Sequence, residues 1–449
     1  MKTKEKLVVF ICVLTSILPL LDTTIVTVVL GDIERSFSLH SDEITWVMTA
    51  YLIGMALMIP ILPTITHRYG ILRTWIGAMF IFALGSLIGG LSTPYFSTLV
   101  LGRLLQGLGA GLLTPLVQII LVNNFGRENL RMMMAYVGIP AAFIPAIAPL
   151  FGSLISTYFS WQALFLMNLP IILLTLLLGY PHIPRSEPVT GRHYRLVGLI
   201  LFCLGYTLIL FLLKQSSLLF QNTFIYLLSF GIGLTVLLFS IWDMSHKENS
   251  AIQLKGFQSF GYSIAIFSSF VVGLIFFGFL VLYPNVRIHM DDQQSLNFIG
   301  AMLCVQGVGA LISRNCMKWE IIKRMNSLLI IPIGLLIVGI ATFLLGFSVQ
   351  KIWFEGLAFL IRGFGIGIST IAVLSAPLEW ASKDIYADTS SLSRMVLQLG
   401  GAMGIIIATG LTDLAYREAY SLFSLITVIL ALGLLYTGTH ILRKPRKIN

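Results

Sequence analysis

One pattern repeats from end to end of this chain: an apolar run of about twenty residues, then a short polar break. The first run, "LVVFICVLTSILPLLDTTIVTVVL" (7–30), contains a single charged side chain, Asp22. Twenty apolar residues in a helix span a hydrocarbon core of roughly 30 Å. Strands of a membrane barrel would be about ten residues long with alternating polarity, and that pattern is absent. Composition agrees. Of 449 residues, 57% are hydrophobic and 11% charged, against about 25% charged in a soluble domain. The expected fold class is an all-α polytopic membrane protein.

Fourteen spans are predicted: 7–30, 43–66, 72–91, 97–122, 132–157, 161–180, 196–214, 222–243, 261–284, 294–313, 325–346, 353–377, 394–412 and 419–442. The basic "MKTKEK" start has no small-x-small cleavage site after it, so it reads as a retained signal-anchor. With both ends placed in the cytoplasm, only Arg35, Lys214, Arg287, Lys351 and Arg417 fall in outer segments. Arg103 and Arg362 lie inside predicted spans, and the rest of the 29 Lys and Arg are cytoplasmic. This is the positive-inside bias, and it accounts for the +10 net charge without a nucleic-acid partner. Polar breaks at 181–195 and 244–260 divide the chain into a six-helix bundle (1–180), a linker region with two inserted helices (181–260) and a second six-helix bundle (261–449).

The fourth span of each half carries an echo. "GRLLQGLGAGLLTP" holds Arg103 before Gly107 and Gly111, and "IRGFGIGISTIAVLSAP" holds Arg362 before Gly363 and Gly367. Small residues four apart let membrane helices approach closely. The Arg-to-Gly offset differs by three residues between the halves, about one helical turn. Parallel repeats of this kind are one way transporters are built.

Several stretches resemble the major facilitator superfamily, in particular its fourteen-span drug:proton antiporters. "LDTTIVTVVLGDI" (21–33) is similar to the first-helix pattern L-D-x-T-I-V-N-x-A-L-P-x-I, with Thr27 and Gly31 at the Asn and Pro positions. "WVMTAYLI" (46–53), "LVLGRLLQGLGAG" (99–111) and "WQALFLMNLPI" (161–171) resemble the signatures of helices two, four and six. Two signatures depart from the pattern. The loop motif G-x-L-x-D-R-x-G-R-K reads "PTITHRYGILR" (63–73), keeping Arg68 and Gly70 but with His67 for the Asp. The antiporter motif G-P-x-x-G-G reads "APLFGS" (148–153), keeping Pro149 and Gly152. The resemblance implies a major facilitator fold of two six-helix bundles plus two helices, with gating at Arg68, Gly70, Pro149 and Gly152. It implies proton-driven efflux of lipophilic, often cationic or aromatic drugs from a bacterial cell membrane by a monomer.

Asp22 lies about fifteen residues into its span, roughly 22 Å at 1.5 Å per residue. A charged Asp at a helix centre costs about 2.5–3.5 kcal/mol on insertion scales. Such residues face cavities and mark ion or substrate routes. Burial disfavours the charged form of a carboxyl and a neighbouring cation favours it; an acid under both pressures can trade a proton when its surroundings change. Arg103 lies at a matching depth, about 9 Å from the outer end against about 12 Å for Asp22. Asp22 and Arg103 are therefore the expected proton-coupling pair, with Gln106 one turn inward; a fixed ion pair between two helices is the alternative. Glu355 and Asp413, near the outer ends of their spans, would either draw a cationic cargo or simply be hydrated helix ends. Trp46, Tyr51, Tyr136 and Phe143 are candidates for an aromatic cargo site, or for ordinary packing.

"GLGAG" (107–111) is no nucleotide loop, because no Lys-Ser/Thr follows and no strand precedes it. Without an ATPase module the energy would come from an ion gradient; one charge crossing 100 mV supplies about 2.3 kcal/mol. No cofactor or metal is expected: the four cysteines are scattered, and the histidines sit in loops or at span ends. Export of a peptide, sugar or chelate, or Na⁺(K⁺)/H⁺ exchange, remains an alternative cargo assignment. An intramembrane enzyme or a receptor is a more distant one, because no nucleophile–base set or paired carboxylates occur deep in a span.

Overall fold

The computed structural model describes residues 3–39, 41–186, 196–214, 223–245, 253–288, 295–316, 325–347, 352–411 and 414–443. Side chains at 139–157 and at a few other helical positions lie outside this description. Every regular element described is helical: α1 (Thr3–Phe37), α2 (Ser41–Ile44), α3 (Trp46–Met58), α4 (Leu62–Tyr69), α5 (Ile71–Gly90), α6 (Phe96–Tyr158), α7 (Gln162–Leu166), α8 (Asn168–Gly179), α9 (Leu196–Lys214), α10 (Thr223–Ser245), α11 (Phe260–Ile288), α12 (Ser295–Cys316), α13 (Ser327–Leu345), α14 (Ile352–Trp380), α15 (Tyr386–Leu411) and α16 (Tyr416–Arg443), with two short 3-10 turns.

Among the described residues, eleven helices are long and apolar enough to cross a membrane, or twelve when a bent pair counts as one. Eleven or twelve of the fourteen expected spans thus pass this test among the described residues, and those that depart from a plain rod do so for local reasons. The second predicted span is α3 and α4, bent by 55°. Pro60 lies in the break and Pro63 in the first turn of α4, and a proline ring clashes with the carbonyl four residues back while offering no N–H. The fourth and fifth spans are the two arms of α6, separated at Gly126 (φ 74°, ψ 170°), a non-helical backbone conformation that favours glycine. The seventh predicted span is a short apolar helix, Val197–Leu212.

The chain forms two compact units, Met1–Gly126 with Ile147–Leu254, and Arg127–Ala146 with Lys255–Asn449. In the first, α1 packs on α8, α5 on α7 and α8, and α3 on α9, which in turn packs on α10. Much of α10 stays outside the protein core: Phe224, Leu227, Leu238 and Trp242 are all exposed. In the second, α11 packs on α15, α13 on α14 and α16, and α12 on α14. Its core is Phe279, Tyr283, Ile331, Leu335, Phe359, Ala372, Tyr420 and Phe423 with their aliphatic neighbours.

Glycines set the helix spacing, and they do so alike in both units. A Cβ at Gly107 would overlap the Tyr51 carbonyl, one at Gly111 the Met55 carbonyl, and one at Gly54 the Leu104 carbonyl. In the second unit Gly363 meets Gln306, Gly367 meets Ala310 and Gly309 meets Leu360 in the same way. The backbone register thus aligns Gly107 with Gly363, and so Gln106, not Arg103, with Arg362. This resolves the three-residue offset of the sequence echo: the two arginines occupy different turns of equivalent helices.

Candidate functional site

In the first unit four helices deliver polar side chains to one buried point. Asp22 comes from α1, one turn beyond Pro19, whose missing N–H loosens the helix there. Ser86 comes from α5, Arg103 and Gln106 from α6, and Asn168 from the start of α8. Asp22 is 4% exposed, and Ser86, Arg103 and Gln106 are wholly buried.

Arg103 Nη1 donates to Asp22 Oδ2 and, at 2.8 Å, to Gln106 Oε1. Gln106 Nε2 donates to Asp22 Oδ1 at 2.8 Å and to Ser86 Oγ at 2.9 Å. Asn168 Nδ2 donates to Asp22 Oδ1 at 3.1 Å. The carboxylate thus takes one charged and two neutral donors, which is how a buried charge becomes tolerable in hydrocarbon. Arg103 is held from behind: its Nε donates to the Val47 carbonyl at 3.0 Å, and its guanidinium lies 4.5 Å from the Tyr51 ring centroid. A desolvated cation over an aromatic face gains about 2 kcal/mol. The Tyr51 hydroxyl donates to the Pro19 carbonyl at 3.3 Å, tying α3 to the loosened turn of α1. Arg103 Nη2 is buried with no hydrogen-bond partner. The arginine therefore keeps one donor beyond what the acid uses.

The matched depths of Asp22 and Arg103 are realised as a direct ion pair, and Gln106 joins it. Tyr51 lies beneath the pair as packing for the guanidinium. Trp46 is 48% exposed and Tyr136 is partly buried. Phe143, Pro149 and Gly152 have side chains outside the described residues, and Asp413 lies outside them altogether. Arg68 is exposed beside the ring of Tyr69. Gly70 (φ 81°) turns the chain between α4 and α5, and the Ile71 N–H donates to Ser186 Oγ at 2.8 Å.

Glu355 corrects one expectation. It is 1% exposed, so it is not a hydrated helix end. Its Oε1 accepts from the Tyr283 hydroxyl at 2.9 Å and its Oε2 from Arg287 Nη2 at 2.8 Å. α11 and α14 meet there through an ion pair that the spacing of charges along the sequence did not reveal.

Ser86 and Asn168 were missed as site residues. Asn168 stands in the helix-six stretch "FLMNLPI", and an amide in an apolar run was the available signal. Also missed was a cluster in the second unit. There Arg131 donates to Glu379 Oε1 at 2.9 Å and to the Met325 carbonyl at 2.8 Å, and Ser327 Oγ donates to the same Glu379 oxygen at 2.5 Å. Nearby Arg127 Nε donates to the Tyr386 hydroxyl at 2.6 Å. Among the described residues no group of three His, Cys, Asp or Glu could hold a metal ion.

Comparison with known proteins supplies the class. The family model of the Major Facilitator Superfamily matches residues 12–405. The chain is 28% identical over 422 residues to a multidrug resistance protein B homolog of Mycobacterium tuberculosis, covering 91% of this chain and 76% of that one. It is 26% identical over 400 residues to the probable multidrug resistance protein EmrY of Escherichia coli, covering 87% and 77%. Among solved structures, the human organic anion transporter MFSD10 has a TM-score of 0.70 at 14% identity, with 96% and 99% of the two chains covered; at that identity the likeness concerns the fold alone. The match over most of the chain, together with the apolar helices and the two compact units, makes this a multi-pass membrane transporter rather than an enzyme, and the chain belongs to the Major Facilitator Superfamily.

Proposed function

We propose that this transporter is a proton-driven exporter of lipophilic, often cationic or aromatic small molecules, working as a drug:proton antiporter in a bacterial cell membrane. The observation that supports this reading best is the buried Asp22–Arg103–Gln106 network. Asp22 is the acid that takes up and releases the proton. When Asp22 is charged, Arg103, Gln106 and Asn168 hold it. When it is protonated, the ion pair with Arg103 is lost and that arginine turns to other acceptors through Nη1 and the unused Nη2. Two protonation states with different partners give the two-state element that alternating access needs. The names of the relatives fit this reading, and the charge bias along the sequence supports both termini in the cytoplasm. Arg68, Gly70, Pro149 and Gly152 belong to the gating side of the proposal. Glu355, Asp413, Trp46, Tyr136 and Phe143 belong to the cargo path, and the working unit is a monomer.

The test is flux of a cationic dye such as ethidium in proteoliposomes with an imposed pH gradient. Native protein should concentrate the dye against its gradient, and Asp22→Asn should abolish uphill movement while remaining folded. Uphill transport by Asp22→Asn would remove Asp22 from the coupling step. Native flux that a protonophore leaves unchanged would remove proton coupling itself, and Na⁺- or K⁺-dependent flux would point to exchange of those ions.

A further inference from the structure

Arg362 of α14 is wholly buried, and among the described residues no carboxylate pairs with it. Its partners are neutral: Gln306 Oε1 at 2.5 Å, Thr342 Oγ1 at 3.3 Å and the Ile275 carbonyl at 3.5 Å. Its guanidinium carbon lies 3.3 Å from the Phe279 ring centroid. The same ring neighbours Tyr283 at 5.8 Å, Phe359 at 5.8 Å and Tyr420 at 6.3 Å. Tyr420 is wholly buried, and its hydroxyl has no hydrogen-bond partner. Beside Tyr283, Arg287 uses Nη2 on Glu355 and leaves Nε buried and unpartnered.

The charges around Phe279 do not cancel. Among the described residues two guanidiniums, Arg287 and Arg362, stand against one carboxylate, Glu355, and two buried donors are spare. A buried unpaired cation is expensive, and so is an unused buried donor. The first unit shows the usual remedy, because Arg103 has Asp22. In the second unit the described residues offer Arg362 no such acid. Excess positive charge, a spare phenol and ring faces define the chemistry that would complete the set. A carboxylate matches a guanidinium fork, a hydroxyl donates to it, and an aromatic ring stacks on Phe279 and Phe359. A cationic group is repelled there.

We propose that the cluster around Phe279 is a binding site for an aromatic carboxylate, with Arg362 and the Tyr420 hydroxyl taking the carboxylate and Phe279 and Phe359 the ring. The inference rests on the reading of the chain as a small-molecule exporter and names a cargo class for it: aromatic acids and zwitterions, beside the cations expected from the resemblance. The cluster is closed in this conformation, so occupancy requires α11, α14 and α16 to part during alternation.

Binding can be read on the purified full-length protein in detergent, with no gradient, from the thermal unfolding midpoint. The probes are 1-naphthoate, the neutral 1-naphthalenemethanol, and chloride at equal ionic strength. 1-Naphthoate should raise the midpoint by several degrees at saturation, and the alcohol should not. Arg362→Gln should weaken the 1-naphthoate response at least tenfold, and Tyr420→Phe several-fold. If Arg362→Gln does not fold, Tyr420→Phe decides, because it removes only the unpartnered hydroxyl. No 1-naphthoate-specific shift, an unchanged response in Tyr420→Phe, or an equal shift with chloride overturns the proposal. Since the readout needs no proton gradient, its failure leaves the proton-coupling reading standing, and the failure of dye flux leaves this site standing.

Discussion

Each unit buries an arginine on a helix face lined by glycines, yet among the described residues only one of the two arginines meets an acid there. In the first unit Arg103 sits one turn before Gln106 and pairs with Asp22, while Gln106 bonds Ser86. In the second unit the position equivalent to Gln106 is Arg362, which bonds Thr342, and the position equivalent to Arg103 is Phe359. The acid, Glu355, stands a further turn towards the start of α14 and pairs with Arg287 of a neighbouring helix. Two backbones with the same register have thus been given different charge layouts. What is shared is close helix approach, which glycine alone allows. What differs is where charge can be neutralised, and that gives the units different chemistry.

The sharpest way to break this comparison is to remove one member of each buried pair. Arg103→Ala leaves Asp22 buried without its cation and should cost about 3–5 kcal/mol of stability, read as a lower unfolding midpoint. The double variant Asp22→Asn/Arg103→Gln should recover a large part of it. Equal loss in the single and double variants would mean that the pair contributes no charge coupling. Among the described residues Arg362→Gln removes no ion pair, so its midpoint should fall by much less than that of Arg103→Ala; an equal fall would refute the asymmetry.

The shared part of the architecture is tested by Gly107→Ala and Gly363→Ala. Each Cβ would run into a partner helix carbonyl, so each should destabilise by about 1–3 kcal/mol, and by similar amounts. A clear difference between them would show that the registers are not equivalent. Smaller again is Asn168→Ala, which removes one donor from Asp22 and should cost about 1 kcal/mol. Its uphill dye flux should fall several-fold without being abolished, and unchanged flux would place Asn168 in packing alone. The smallest effect is expected at Arg68, which is exposed: Arg68→Ala should stay within about 0.5 kcal/mol of native stability, so any large change in transport would reflect gating and not folding.

Much of the site was legible beforehand because depth in a membrane can be counted along a helix. Asp22 and Arg103 are rare charges in apolar runs, and their similar distances from the predicted span ends bring them together in the sequence alone. Gln106 followed from helical spacing. Ser86 and Asn168 were not legible in this way, since small polar residues in spans are common and often bond their own helix, as Thr15 and Thr74 do here. Glu355 misled because a helix's first turn usually meets water, and the sequence gives no hint that α11 covers it with Tyr283 and Arg287. The bent second span had its cause in view, in Pro60 and Pro63, but a kink angle depends on what packs against both pieces.

By itself the sequence determined that this chain spans a membrane as a bundle of helices, because runs of some twenty apolar residues have no other way to satisfy their backbone in hydrocarbon. It also marked the residues whose charge would be hard to bury. The tertiary structure alone decided which of those charges met a counter-charge. Pairing depends on the rotation and register of neighbouring helices, which glycine contacts between remote segments set, and a helix pattern read one span at a time does not contain that information.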